Sequence, residues 1–256
     1  MPSKTIVFIH GAWMVPGCWD DFRKPFEAAG YMVHAPAWPF LDGKAADLRA
    51  NPPEGLGSLT VGEIADHYQA HIESLPEVPI VIGHSFGGLI VQMLLDRKVG
   101  AAGVAIDPGP IGGIVAGPTS LLGAIPILSR WKAWSRPYLL PLAAFRKNFA
   151  NCAPAEIQTE AYDRLVVPTS GAIFFQAAFF LGTFVRPKRR RAPLLITGSE
   201  HDRTVTPYIS RSTYRIQKRS AAKTDLKIFP GHSHFLIGEP GWEDVAKYVL
   251  DWVAKT

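Results

Sequence analysis

Short, continuously apolar runs recur along the 256-residue chain, separated by stretches in which apolar residues thin out to helical spacing. The runs TIVFIH (5–10), YMVHAP (31–36), PIVIGH (79–84), AAGVAIDP (101–108), PLLITG (193–198) and DLKIFP (225–230) are rich in β-branched residues. Most lack polar alternation, as strands buried on both faces of a parallel sheet do. Between them, residues 19–29, 60–74, 86–97, about 206–218 and 242–254 carry helical patterns. In the last of these, Trp242, Val245, Ala246, Val249 and Val253 fall on one face. Alternation of strand and helix predicts an α/β fold with a mostly parallel, doubly wound sheet of about six strands.

The alternation breaks once. From Asp107 to Pro193 no convincing strand occurs, and the sequence is rich in Leu, Trp, Phe, Tyr and Pro. A stretch of that length exceeds a plain loop, so a separate helical subdomain is expected over 109–191, inserted between core segments 1–108 and 192–256. Its start, just after a strand's C-terminal end, places it over the edge of the sheet where ligands bind in such folds.

Composition narrows the class only a little. Apolar residues make up 47% and charged residues 19%, as in ordinary globular enzymes. Much of the net charge of +5 sits in Arg186-Pro187-Lys188-Arg189-Arg190-Arg191, read as a solvated connector. No aromatic residues are interleaved there, so no nucleic-acid partner is expected, and no membrane partner either. The longest apolar stretch, 171–185, is interrupted by Gln176 and is short for a membrane span. Two cysteines, Cys18 and Cys152, form no disulfide framework or metal pattern, and the N-terminus does not read as a signal peptide. A reduced, cytoplasmic protein is expected. Its oligomeric state is not legible.

The chemistry-bearing motif is Gly-His-Ser, which occurs twice. In Gly83-His84-Ser85-Phe86-Gly87 a buried strand runs in and the helical LIVQMLLDR runs out. That strand–turn–helix context is what a nucleophile elbow needs: a bend so tight that the residues two places either side must be glycine, with a serine hydroxyl exposed at a helix N-terminus. With 13 Ser and 23 Gly, chance supplies about 0.1 such matches. The second copy, Gly231-His232-Ser233-His234-Phe235, has Phe235 where the second glycine must stand. It therefore supplies histidines rather than a nucleophile.

On these residues the chain resembles the α/β-hydrolase superfamily over nearly its whole length, without the two leading antiparallel strands and with a helical cap after the sixth-strand position. The resemblance implies a serine hydrolase with Ser85 as nucleophile. The turn His10-Gly11-Ala12-Trp13 after the first strand matches the family's oxyanion turn, which implies backbone N–H donors from Ala12 and Phe86. Trp13 is expected to line the substrate pocket, and His10 to be structural. In Ser199-Glu200-His201-Asp202-Arg203-Thr204-Val205 the family's acid falls on Asp202, with Glu200 and Asp107 as lesser candidates. His232 and His234 compete for the base. The family's run from histidine to Glu-Pro fits His234-Phe235-Leu236-Ile237-Gly238-Glu239-Pro240 better. The order serine, acid, histidine is the one this fold uses.

Other signals read as structural. Glu63, His67 and His71 repeat at i, i+4, i+8 as a solvated helix face, not a zinc motif. His34 has no evident partner, and His84 is assigned to packing. Of the aromatic residues in 131–184, Trp131 or Phe179 is expected to face the pocket. No metal or cofactor is expected. The implied substrate is a small apolar ester cleaved through an acyl-enzyme. A thioester, a lactone, a carbon–carbon bond or cofactor-free perhydrolysis are alternatives for the same triad, and a non-catalytic ligand receptor is an alternative for the same fold. Ser85 disfavours dehalogenases and epoxide hydrolases, which carry Asp there. Gly11 and Phe235 disfavour hydroxynitrile lyases.

Overall fold

The structure, a computed structural model, describes residues 3–256, apart from the side chain of Leu121. Six strands, β1 (Thr5–Ile9), β2 (Met32–His34), β3 (Ile80–His84), β4 (Ala102–Ile106), β5 (Leu194–Ser199) and β6 (Thr224–Phe229), form one sheet in the order β2-β1-β3-β4-β5-β6. Every pairing is parallel. Helices α1 (Lys24–Ala28), α2 (Ala45–Ala50), α3 (Val61–Glu73) and α4 (Phe86–Asp96) precede β4. Helices α5 (Pro118–Leu128), α6 (Leu142–Ala144), α7 (Ala155–Leu165) and α8 (Ala172–Ala178) all fall between β4 and β5, while α9 (Pro207–Gln217) and α10 (Trp242–Val253) follow β5 and β6.

The four inner strands are buried along their whole length, which is why their sequences show no alternation. On one face, Phe8 of β1 meets Trp19, Phe22 and Phe26, with ring centroids at 4.6, 6.2 and 5.5 Å. The helix expected over 19–29 is broken: a 3-10 turn covers Pro16–Trp19 and α1 starts only at Lys24. Pro25 has no N–H to give to a preceding turn and so fixes the start of a new helix instead of continuing an old one.

The chain leaves β1 for β2 on one side and returns to β3 on the other. Loops from the C-terminal ends of β1 and β3 therefore part at this switch point, where open α/β sheets form their ligand crevice. The segment between β4 and β5 adds no strand to the sheet. It is tied to the sheet's own loops instead. Met14, after β1, bridges to Val166, and the Arg49 guanidinium of α2 donates to the carbonyls of Tyr162, Asp163 and Val166 at the end of α7. A helix's last carbonyls have few partners of their own, although Tyr162 also accepts the Val166 N–H, and a cation there meets the negative end of the helix dipole.

The basic run is not uniformly solvated. Arg190 is buried, and its guanidinium donates to Gln217 Oε1, to Thr224 Oγ1 and to the carbonyls of Ala192, Gln217 and Lys223. It clamps the entry of β5 to α9 and β6. Its burial pulls the guanidinium down to about 10, still charged at neutral pH. Hydrogen bonds to a charged group contribute about 1.5–3 kcal/mol each, and truncation also leaves buried carbonyls bare. Arg190→Ala is therefore expected to lower stability by at least about 3 kcal/mol in urea unfolding. A loss under about 1 kcal/mol, the range of a solvated surface residue, contradicts the clamp.

Candidate active site

The bend between β3 and α4 is built around Ser85, whose backbone sits at φ 57°, ψ −123°. A non-glycine residue held there costs on the order of 1–3 kcal/mol and persists only where its surroundings fix it. The Ser85 N–H donates to the Ile106 carbonyl at 2.9 Å, and the Ser85 carbonyl accepts from Gly88, Leu89 and Gly109. Glycine is required on both flanks. A Cβ on Gly83 would run into the Gly87 carbonyl, and one on Gly87 into the carbonyls of Ile9 and His10.

Two loops converge on the Ser85 hydroxyl. His234 Nε2 lies 2.9 Å from Ser85 Oγ, and His234 Nδ1 lies 2.6 Å from Asp202 Oδ2. All three side chains are buried. Asp202 Oδ1 accepts the N–H groups of Thr204 and Val205, each at 2.7 Å. With donors on both oxygens, Asp202 is the ionised partner, although burial pushes its carboxyl up. The His234 Nδ1–H then donates to it, and the Nε2 lone pair faces the serine. Burial pulls the His234 imidazole down to about 4, which keeps it neutral and able to accept a proton.

The competing residues have other partners. His232 Nδ1 lies 3.1 Å from Glu239 Oε1, which also accepts the Ser233 N–H at 2.6 Å, and the Ser233 hydroxyl donates to Glu239 Oε2. The second Gly-His-Ser is thus anchored by a buried glutamate that holds the loop carrying His234. Glu200 is exposed and accepts the Gly231 N–H. His84 does more than fill space: its Nε2–H donates to the His234 carbonyl at 2.8 Å, joining the elbow to the base loop. The repeated polar face of α3 contains a capping box between Thr60 and Glu63, while His67 bonds the Ala37 carbonyl and His71 faces His34.

Asp107, a lesser candidate for the acid at the end of an earlier strand, does not bond His234, whose Nδ1 goes to Asp202. It sits at the end of β4, fully buried, with Oδ1 accepting from Thr197 Oγ1 at 3.1 Å and Oδ2 without a partner. Burial, with the charge of nearby Asp202, pushes its carboxyl up to about 8, so it holds its proton at neutral pH. Asp107, Asp202 and His234 bring atoms of metal-ligand type within 4.8 Å of one another. A cation among them would displace the bonds from His234 to Asp202 and Ser85.

The turn after β1 lies against the elbow, where a Cβ on Gly11 would come within 2.7 Å of Ser85 Cβ. His10 holds this turn. Its Nε2 accepts the Trp38 N–H at 3.0 Å, so its Nδ1 carries the proton and donates to the Gly11 carbonyl at 3.0 Å. A trans peptide points its C=O and N–H in opposite directions, so fixing the Gly11 carbonyl also fixes the Ala12 N–H. Neither the Ala12 nor the Phe86 N–H makes a turn or loop hydrogen bond among the described residues. Trp13 follows with a left-handed backbone (φ 64°), held by its carbonyl accepting from Val167 and its indole N–H donating to the Tyr138 carbonyl.

Two aromatic residues from the 109–191 segment reach the site. The Phe149 ring stands edge-on to His234, 4.7 Å between centroids, and Phe174 lies 5.0 Å from Trp13 and 5.3 Å from Phe86. Nothing local in the sequence separates these two from the other aromatic residues of 131–184, because only tertiary packing decides which of them meets the site. The expectation for Trp131 and Phe179 is overturned: they are 74% and 63% exposed, on the outside of the segment. The same segment grips the acid loop through Asn151 to the His201 carbonyl, Thr204 to the Asn148 carbonyl and Arg203 to the Lys147 carbonyl.

A family model described as the alpha/beta hydrolase family matches residues 6–247. Monoacylglycerol lipase of Mycolicibacterium smegmatis is 24% identical over 264 aligned residues, covering 98% of this chain and 88% of that protein. A pyrethroid hydrolase of Sphingobium wenxiniae is 32% identical over 98 residues, 37% of this chain and only 31% of that protein's length. Among solved structures, the monoacylglycerol lipase of Paleococcus ferrophilus superposes with a TM-score of 0.72 at 21% identity, covering 99% and 96% of the two chains. An Arabidopsis methylesterase gives 0.72 at 15% identity, covering 98% and 99%.

The sign of the pH effect follows from burial. Unfolded, His234 titrates near its ordinary 6.5. Folded, it refuses the proton until about 4, so its contribution to stability is present above 6.5 and is lost as pH falls toward 4. NMR titration of the imidazoles is expected to give His234 a midpoint below 6.5. A midpoint at or above 6.5 would mean that the Asp202 charge outweighs burial.

Proposed function

The chain belongs to the alpha/beta hydrolase family, and on that premise we propose that it is a serine hydrolase cleaving a carboxylic ester of a small apolar substrate through an acyl-enzyme on Ser85. The observation that carries the proposal is the unbroken run of hydrogen bonds from Ser85 Oγ through both nitrogens of His234 to Asp202.

In this mechanism Ser85 Oγ attacks the ester carbonyl carbon while His234 Nε2 takes its proton. Asp202 fixes the imidazole tautomer and stabilises the imidazolium that forms. The carbonyl oxygen, now an oxyanion, is received by the N–H groups of Ala12 and Phe86, each worth about 10²–10³ in rate. The carbon–oxygen bond to the alcohol breaks, and His234 returns its proton to the leaving oxygen. Water, deprotonated in turn by His234, then attacks the acyl-enzyme and frees the acid and Ser85. Asp107 keeps its own proton and adds no second negative charge beside Asp202.

The substrate class rests on what surrounds the serine. Trp13, Phe149 and Phe174 present aromatic surface beside it. Such walls favour apolar acyl or alcohol groups. Residues 109–191 act as the cap that contributes two of those rings. An ester, in preference to a thioester or lactone, fits the relatives named lipase, pyrethroid hydrolase and methylesterase.

Turnover of a graded series of p-nitrophenyl esters tests the assignment. Ser85→Ala is expected to lower kcat by about 10⁶, as loss of a triad nucleophile does. His234→Ala should be nearly as severe and His232→Ala far milder, since His232 is turned to Glu239. Substantial turnover by Ser85→Ala, or a more damaging His232→Ala, contradicts the mechanism.

A further inference from the structure

Among the described residues, eight of the twelve large apolar side chains left exposed lie between Val115 and Phe184, about a quarter of the chain. They are not scattered over unrelated elements. Helix α5, the 3-10 turn Ala133–Ser135 and helix α8 pack on one another. Trp134 stands edge-on to Phe175 at 5.7 Å, and Phe175 stacks on Phe179 at 6.1 Å. Leu122 and Ile125 of α5, with Trp131, are more than half exposed on the same group of elements. Exposed apolar surface gathered in this way marks an interaction site more often than it occurs by chance.

Charge identifies the partner. No Asp or Glu occurs from residue 108 to 155 or from 164 to 199. Within the first stretch Arg130, Lys132 and Arg136 flank the two exposed tryptophans. All three are exposed, and none pairs with a carboxylate among the described residues. A second copy of the chain would bring like charges together across a self-complementary interface. Aromatic and aliphatic side chains flanked by cations without carboxylate partners, of which Arg130 also donates to the Pro137 carbonyl, suit a surface with an apolar interior and negatively charged headgroups.

We propose that the outer face formed by α5, residues 130–136 and α8 with its following loop docks on an anionic lipid surface. Trp131, Trp134 and Phe179 enter the boundary between headgroups and acyl chains, while Arg130, Lys132 and Arg136 meet the phosphates. This is peripheral contact. No helix among the described residues is long and apolar enough to cross a membrane. It departs from the sequence expectation of no membrane partner, which weighed the basic run and the longest apolar stretch but could not see which aromatic residues face outward. The docking face and the site share α8: Phe174 packs inward on Trp13 and Phe86, while Phe175 and Phe179 belong to the outer ladder.

Co-sedimentation of the full chain with vesicles tests this without reference to catalysis. The chain is expected to pellet with vesicles of equal parts phosphatidylcholine and phosphatidylglycerol, and to be released by raised salt. Vesicles of phosphatidylcholine alone should retain much less. Each neutralised cation is expected to weaken the partition about fivefold, so Arg130→Gln/Lys132→Gln/Arg136→Gln should lose about a hundredfold. Trp131→Ala/Phe179→Ala should lose at least about tenfold, since each ring removes a large apolar area from the boundary. Both variants should keep wild-type melting curves and wild-type turnover of a soluble short ester. Failure to bind anionic vesicles, or variants that bind like wild type, overturns the proposal. So does a dimer in light scattering that Trp131→Ala/Phe179→Ala converts to monomer, because the face would then belong to a second copy. Loss of ester turnover on Ser85→Ala tests the hydrolase reading separately and leaves the vesicle result untouched.

Discussion

The closeness of three backbone segments at Gly11, Ser85 and Gly87 is the constraint on which the site depends. The end of β1, the turn after it and the start of α4 approach until a single added Cβ would strike a carbonyl. That contact holds Ser85 in a backbone conformation it would otherwise leave. It also sets the oxyanion turn beside the hydroxyl. The strain is local, but what balances it is spread over the fold: three N–H donors on the Ser85 carbonyl, the ladder between β3 and β4, and the His10 bonds that fix the Gly11 peptide.

Around this bend lies a buried polar cluster that is costly unless fully partnered. Asp202 carries the charge and three N–H donors meet it. Asp107, a few ångströms away, is kept neutral by burial and by that same charge. Two carboxyl groups in one dry site thus divide the roles, one ionised and one protonated. Two further tethers keep His234 aimed: its carbonyl accepts from His84, and its loop hangs from Glu239. The segment between β4 and β5 completes the enclosure, with Phe149 against the imidazole and three hydrogen bonds to the acid loop.

What the sequence reveals follows the range of the interactions involved. The elbow is local: five residues, two of them glycines for steric reasons, between an apolar run and a helical one. The parallel sheet is almost as local, because burial on both faces removes alternation from each strand. The places of Asp202 and of His234 in the 231–235 loop come through family resemblance, and the structure adds the physical reason, since His232 is turned to Glu239. The rest depended on tertiary packing. Arg190 is indistinguishable in sequence from its exposed neighbours, yet it alone in the run is buried. Phe149 and Trp131 are both aromatic residues in one apolar stretch, but one touches the imidazole and the other faces out.

The central claim is that one serine, and that serine alone, is activated by one histidine. Its most direct measurement is peptide mapping by mass spectrometry after brief exposure to a fluorophosphonate. The account predicts a single adduct on the peptide containing Ser85, formed rapidly by the wild-type chain and at least a thousandfold more slowly by His234→Ala. An adduct at Ser233 or another serine, or labelling of Ser85 at an unchanged rate without His234, would contradict it.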